Sequence, residues 1–238
     1  MRTPAQWLTT AGVASAWRRR DPTFVRARVV DANDGIIATA GIVEGFAGAG
    51  ATGKTIVIAA FFAMLAGGVS LAGAKYAEAA AELEAAQAVI DEERRQLEFS
   101  PQEELDELVA LYEQKGLSAP LAQQVALELT AKDPLAAHVE AEHGLGLGLG
   151  QPSPLATAVP AGLAFAAGSG VPLVIVLVAP DAWRIPATFT AVLVSLAVTS
   201  VLMARTSRTS LARILTRSLV IGSSAMLLSL AGGHLFSS

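Results

Sequence analysis

TIVIAAFFAMLAGGVSLAGA, residues 55–74, runs without a break into KYAEAAAELEAAQAVIDEERRQLE, residues 75–98. The first twenty residues carry no charge. That is the length and character of a helix that crosses the hydrocarbon core of a bilayer. The next twenty-four hold seven acids and three bases. There is no Pro from Thr55 to Glu98, and no Gly after Gly73. Nothing in the chain therefore stops the helix where the apolar run ends. The 44 residues from Thr55 to Glu98 would make one helix of about 66 Å, roughly twice the thickness of a bilayer core. A membrane helix that continues into water decides the fold class: an all-α membrane protein with a polar helical part attached.

The rest of the chain agrees. Of its 238 residues, 53% are hydrophobic and 16% charged, against about 25% charged in an average soluble domain. Charge-free stretches recur at Gly144–Pro180 and Ile185–Ala204, and Ser218–Ser238 has only His234. Gly35–Gly53 has one charge, Glu44. The pattern predicts five transmembrane helices at about 34–53, 55–75, 154–179, 185–205 and 212–235. The formal charge of −4 conceals a division. Lys75–His143 has sixteen acids and five bases, net −11, and the remainder is net +7. An acidic block of that kind is no nucleic-acid binder, because phosphate backbones require positive charge. With no Cys in the chain, disulfides, thiolate metal sites and thiol nucleophiles are excluded.

Arg placement predicts the orientation. Arg18, Arg19, Arg20, Arg26 and Arg28 precede the first span, and Arg205, Arg208, Arg213 and Arg217 flank the loop between the fourth and fifth. Five spans starting inside place both clusters and the acidic block in the cytoplasm, and the C-terminus outside. Trp7, Trp17 and Trp183 suit membrane-edge positions. Within the block, Ser100-Pro101-Gln102-Glu103 reads as a capping-box start ended by Gly116. Ser118 opens a further helix to about Ala131, and Asp133-Pro134 opens another ended by Gly144. The expected domains are an N-terminal cytoplasmic segment 1–28, spans one and two in 29–75, a cytoplasmic helical insert with a Gly-rich linker in 76–150, and spans three to five in 151–238.

Three constellations could carry chemistry. Gly48–Thr55 matches the G-x4-G-K-T phosphate loop of nucleotide hydrolases, with Lys54 in the phosphate-binding place. It falls between two membrane-length stretches, where a Gly-rich turn is expected anyway, so a turn is the reading favoured and no enzyme is predicted. The second set is in the acidic block. Glu104 and Glu107 are at i, i+3; His138 and Glu142 are at i, i+4; Glu93 lies on the extension of the second span. Residues three or four apart share a helix face, and like charges there repel. Several such pairs facing one another would need a cation, and oxygen ligands with one imidazole suit Fe²⁺ or Mn²⁺ better than zinc or copper. The alternative is a solvated acidic face. The third set is Asp34 and Glu44, carboxylates in a membrane segment, where an ionisable group is expensive and points to function; the alternative is that Asp34 caps the helix start or pairs with Lys75 at the end of the second span.

The order of these parts resembles the vacuolar iron transporter family, in particular its prokaryotic members. The resemblance is carried by Asn33–Gly41 (NDGIIATAG), Ala66–Tyr76 (AGGVSLAGAKY), Glu98–Leu108 (EFSPQEELDEL), Tyr112–Ser118 (YEQKGLS) and Glu142–Leu145 (EHGL). It implies five membrane helices, with a helical metal-binding domain between the second and third. It implies a homodimer whose ion path lies at the dimer axis, moving Fe²⁺ and often Mn²⁺ out of the cytoplasm in exchange for protons. Asp34 corresponds to the pathway Asp, and Glu93, Glu104, Glu107 and Glu142 to insert ligands. Where the family usually has Ser-Met in the second helix, this chain has Ser70-Leu71. Gln96 stands in place of another insert glutamate, and His138-Val139 where some relatives have a Met pair. The resulting expectation is a multi-pass cell-membrane transporter without a cofactor, whose partners are lipid, divalent cations and a second copy. In it Glu93, Glu104, Glu107, His138 and Glu142 collect the ion, and Asp34 and Glu44 pass it on. The alternative is a membrane-anchored metal-binding or sensing protein that does not conduct, with a ferritin-like carboxylate site.

Overall fold

The computed structural model describes residues 22–145, 152–207 and 209–237. The expectations for Trp7, Trp17, Arg18, Arg19, Arg20, Arg208 and most of the Gly-rich linker lie outside these residues. Among the described residues there are helices and turns and no strand. The elements are α1 (Pro22–Gly48), α2 (Gly53–Phe99), α3 (Pro101–Gln114), α4 (Ala119–Lys132), α5 (Pro134–His143), α6 (Pro154–Val178), a single 3-10 turn at Asp181–Trp183, α7 (Arg184–Ser207) and α8 (Leu211–Ser237). The continuous helix read from residue 55 onward is present as α2, 47 residues long. Among the described residues, four helical stretches are long and apolar enough to cross a membrane: Gly53–Phe99, Pro154–Val178, Asp181–Thr206 and Leu211–Phe236. The α1 helix is long enough at 27 residues, but it is not among them, because it carries Arg26, Arg28, Asp31, Asp34 and Glu44. It also begins twelve residues before the expected 34 and ends at Gly48 rather than 53.

The chain divides into two compact units, residues 1–77 with 154–238, and residues 78–153. In the first, α1 packs against α6, α7 and α8. One apolar cluster joins Ile36 and Ala40 of α1 to Val192 and Leu196 of α7 and Met226 of α8. Another joins Val43 to Ile56 and Ala60 of α2 and Val176 of α6. Small residues let α1 and α6 meet backbone to backbone: a methyl group on Gly168 would overlap the carbonyl of Ala32, and one on Gly35 would overlap that of Phe165. The Ser169 hydroxyl donates to the Gly35 carbonyl at 3.2 Å. Close approach through small residues is how helices associate where lipid removes the hydrophobic drive. Large apolar side chains such as Phe62, Val69 and Leu228 face outward, while Thr39, Glu44, Thr188 and Ser200 are buried. That arrangement suits an apolar surrounding and not water.

At the start of α1 the charges are paired. Arg28 lies 3.1 Å from Asp31 and donates to the Thr157 carbonyl of α6 at 3.2 Å. Gly48–Thr55 forms the end of α1, a tight turn and the start of α2. Gly50 has φ +73° there, a conformation that glycine adopts without steric cost. A strand leading into the loop, which a nucleotide site needs, is absent: the preceding element is α1.

The second unit holds residues 78–99 of α2 with α3, α4 and α5. Its core is Leu108, Ala126 and Ala137, with Leu105, Val109, Tyr112 and Leu129 packed around them. The helix boundaries are those expected from Pro101, Gly116, Ser118, Asp133-Pro134 and Gly144. The Asp133 carboxylate caps α5 by accepting from Ala136 N–H at 3.0 Å. Gly144 closes the same helix with φ +65°, and Leu145 N–H returns to the Val139 carbonyl at 3.2 Å, the usual left-handed stop. The expected capping box at Ser100 is not made, for its side chain makes no cap hydrogen bond. Pro101 at the first helical position already fixes the entry and removes one of the free N–H groups a cap would serve.

Candidate metal centre

Asp91, Glu92 and Glu93 are successive acids on α2 with different surroundings. Asp91 pairs with Arg94 at 2.9 Å, and Glu92 with Arg95 at 2.5 Å, both on the exposed side. Glu93, one position further round the helix, is buried. Glu104, in the first turn of α3, is buried too, beside the core residue Leu108 one turn on. His138 lies in the middle of α5 and is fully buried; Glu142 is one turn later, and half-buried.

These four side chains converge. One ligand atom from each of Glu93, Glu104, His138 and Glu142 lies within 4.8 Å of all the others. His138 Nδ1 is the centre of the group, 2.9 Å from Glu142 Oε1, 3.5 Å from Glu104 Oε2 and 4.0 Å from Glu93 Oε2. Glu93 Oε2 and His138 Nε2 are buried, with no hydrogen-bond partner among the described residues. Three carboxylates gathered at that distance repel one another, and a cation between them would relieve the repulsion. Burial pushes the Glu104 carboxyl above the ordinary 4.5, the neighbouring Glu93, Glu107 and Glu142 push the same way, and His138 opposes them. The set offers carboxylate oxygens and one imidazole to a cation, from three separate helices. Such a mixture of oxygen and nitrogen suits a divalent first-row metal.

Glu107, the fifth ligand expected from sequence, is exposed and outside the converging group. It is close enough to act on the charge of Glu104. Of the two membrane carboxylates, Asp34 is on the exposed side of α1, while Glu44 is fully buried. Among the described residues, neither oxygen of Glu44 has a hydrogen-bond partner. Two residues that the sequence reading did not select stand beside these sets. His143 Nε2 lies 3.1 Å from Glu93 Oε1, and Asp31, buried, holds Arg28. His143 has no periodic relation to Glu93, fifty residues away, so no spacing rule could have found it. Asp31 with Arg28 at i, i+3 was visible as a helix pair, had the first helix been started earlier.

Residues 25–234 match the family model described as the VIT family. The chain belongs to the VIT family. A protein of Acanthamoeba castellanii (strain ATCC 30010 / Neff) named "Vacuolar iron transporter" is 36% identical to it over 122 residues, which cover 51% of this chain and 44% of that protein. The match thus spans less than half the length of that relative. The family match takes in α1 from its fourth residue, α2 to α7, α8 as far as His234, and all four converging side chains of this VIT protein.

Proposed function

We propose that this chain is a membrane transporter of divalent metal, with Fe²⁺, and Mn²⁺ beside it, as the transported ion. The observation that carries the reading is the Glu93–Glu104–His138–Glu142 cluster in a VIT-family chain that also has four membrane-length apolar helices. The relative's name, vacuolar iron transporter, favours iron. So does the ligand set, since carboxylates with one imidazole and no thiolate fit Fe²⁺ and Mn²⁺ better than softer ions.

On this reading α1 is the fifth membrane span, and unit 78–153 is a cytoplasmic insert that binds the ion before transport. The N-terminus is inside and the C-terminus outside, in the cell membrane. Arg205 at the end of α7 and Arg213 and Arg217 in the first turns of α8 flank one inter-span loop and support that orientation. The path uses Asp34, on the exposed side of α1, and a second copy of the chain supplies the opposing Asp34, since a two-fold axis is the simplest way to enclose a path. Glu44, buried with no hydrogen-bond partner among the described residues, is suited to carry the proton returned for the metal, because a neutral acid is the less costly form in such a place.

Purified protein in vesicles, with Fe²⁺ outside and a pH-sensitive dye inside, tests this. Wild-type protein is expected to move Fe²⁺ with a coupled pH change, and Asp34→Asn to abolish both. If both survive in Asp34→Asn, the path is elsewhere. A non-conducting metal-binding protein is the second reading, favoured by the fact that the whole ligand set lies within one compact unit. Metal binding with no flux in the wild type would select it.

A further inference from the structure

The two oxygens of Glu93 have different partners. Oε1 meets His143 Nε2 at 3.1 Å. Oε2 is buried without a hydrogen-bond partner and lies on the His138 side, 4.0 Å from Nδ1. His143 is the last residue of α5, and Gly144 behind it, in the left-handed conformation, closes the helix and fixes where the ring begins. The chain neighbour of His143 is Glu142, itself one of the four converging residues. One imidazole at the end of α5 thus ties a ligand on α2 to a ligand on its own helix.

We propose that His143 is a positioning residue that decides which ions the centre accepts. It holds Glu93 Oε1 in an N–H···O bond, so that Glu93 offers the cation a single oxygen, Oε2. This rests on the four converging side chains being cation ligands. The consequence for selectivity follows from coordination chemistry. Ca²⁺ takes six to eight oxygens and uses carboxylates in bidentate fashion. Fe²⁺ and Mn²⁺ accept fewer ligands and tolerate nitrogen among them. A Glu93 held by one oxygen cannot chelate with both, so the bond from His143 disfavours Ca²⁺ relative to Mn²⁺. Hydrogen-bonded partners of metal ligands orient them, and their loss costs roughly 10–100-fold in affinity. The side chain of His143 is 38% exposed, so it can be replaced without emptying the core.

The test uses the full chain in detergent, titrated calorimetrically with Mn²⁺ and with Ca²⁺. His143→Ala is expected to weaken Mn²⁺ binding by roughly 10–100-fold and Ca²⁺ binding less, so that the Mn²⁺/Ca²⁺ preference falls. His143→Gln, whose amide N–H can donate from nearly the same place, is expected to restore both affinity and preference. Wild-type affinity and preference in His143→Ala would overturn the proposal. So would an equal loss for both ions, which marks a merely structural role. A His143→Gln as weak as His143→Ala would also overturn it, and a changed Co²⁺ absorption spectrum in that variant would make His143 a ligand. Glu93→Gln separates the underlying reading: if it binds Mn²⁺ as the wild type does, the four-residue centre falls and His143 with it. If Glu93→Gln loses binding while His143→Ala does not, only the positioning role falls.

Discussion

Glu104 shows what convergence does to a single carboxyl. Burial raises its proton affinity above that of a free glutamate, and the acids around it add to the effect. A carboxyl that is harder to ionise folded than unfolded binds more protons in the folded state. That difference exists between the ordinary value of 4.5 and the raised one. Without added metal, its contribution to stability is therefore present at acid pH and is lost as pH rises through that window. A cation needs the ionised form, so Mn²⁺ affinity should rise with pH through the same window. Thermal denaturation and Mn²⁺ titration, each from mildly acidic to neutral pH, should show opposite slopes, and Glu104→Gln should flatten the stability slope and weaken binding. Spacing brought Glu104, His138 and Glu142 to notice, because each is on a helix that the sequence delimits, while Glu93 came in by its place on the extension of the second span and by the family resemblance. It also selected Glu107, which shares a helix with Glu104 at i, i+3 but is exposed. Periodicity says which residues share a face; it does not say how wide the buried part of that face is.

At the scale of elements, boundaries were readable where a residue has a conformational reason to stop a helix. Pro101, Gly116, Pro134 and Gly144 each do, and each marks an observed end. The start of α1 was not readable from hydropathy, because Arg28 and Asp31 count there as two charges, whereas in the folded unit they satisfy each other at 3.1 Å. Two substitutions test which local features hold these elements. Asp133→Ala removes the one side-chain cap of α5 and should cost about 1 kcal/mol of stability by thermal or chemical denaturation. Because α5 carries His138 and Glu142, the same variant should also bind Mn²⁺ more weakly. Gly168→Ala puts a methyl group into the Ala32 carbonyl, backbone against backbone, with no side chain to move aside. It should cost about 1–3 kcal/mol, read as a lower melting temperature in detergent. Gly73→Ala, also in a helix interior but with nothing in the way, should leave it equal or slightly higher, since Ala favours a helix over Gly, and serves as the control.

For the whole molecule, the sequence already separated a net −11 segment from a net +7 remainder, and the structure divides the chain close to the same place, after Ala77 and before Pro154. Glu93, Glu104, His138 and Glu142 fall in one unit, and Asp34 and Glu44 in the other. If the protein is a transporter, binding and flux should then be separable by mutation. Glu93→Gln or His138→Ala should weaken equilibrium Mn²⁺ binding by the full chain. Asp34→Asn should leave that binding intact while abolishing Fe²⁺ movement in vesicles. Glu44→Gln is the most informative of the set. It keeps the shape of a fully buried side chain and removes the ionisable group. Since an unpaired buried carboxylate is costly, a mutation made only against the fold should leave stability equal or higher. A proton carrier, by contrast, should lose the pH change that accompanies Fe²⁺ entry. Melting in detergent, Mn²⁺ binding and dye-reported proton movement, measured on this one variant, place Glu44 on the proton route only if the first two hold and the third fails. If proton movement persists at the wild-type rate, Glu44 is not on the proton route.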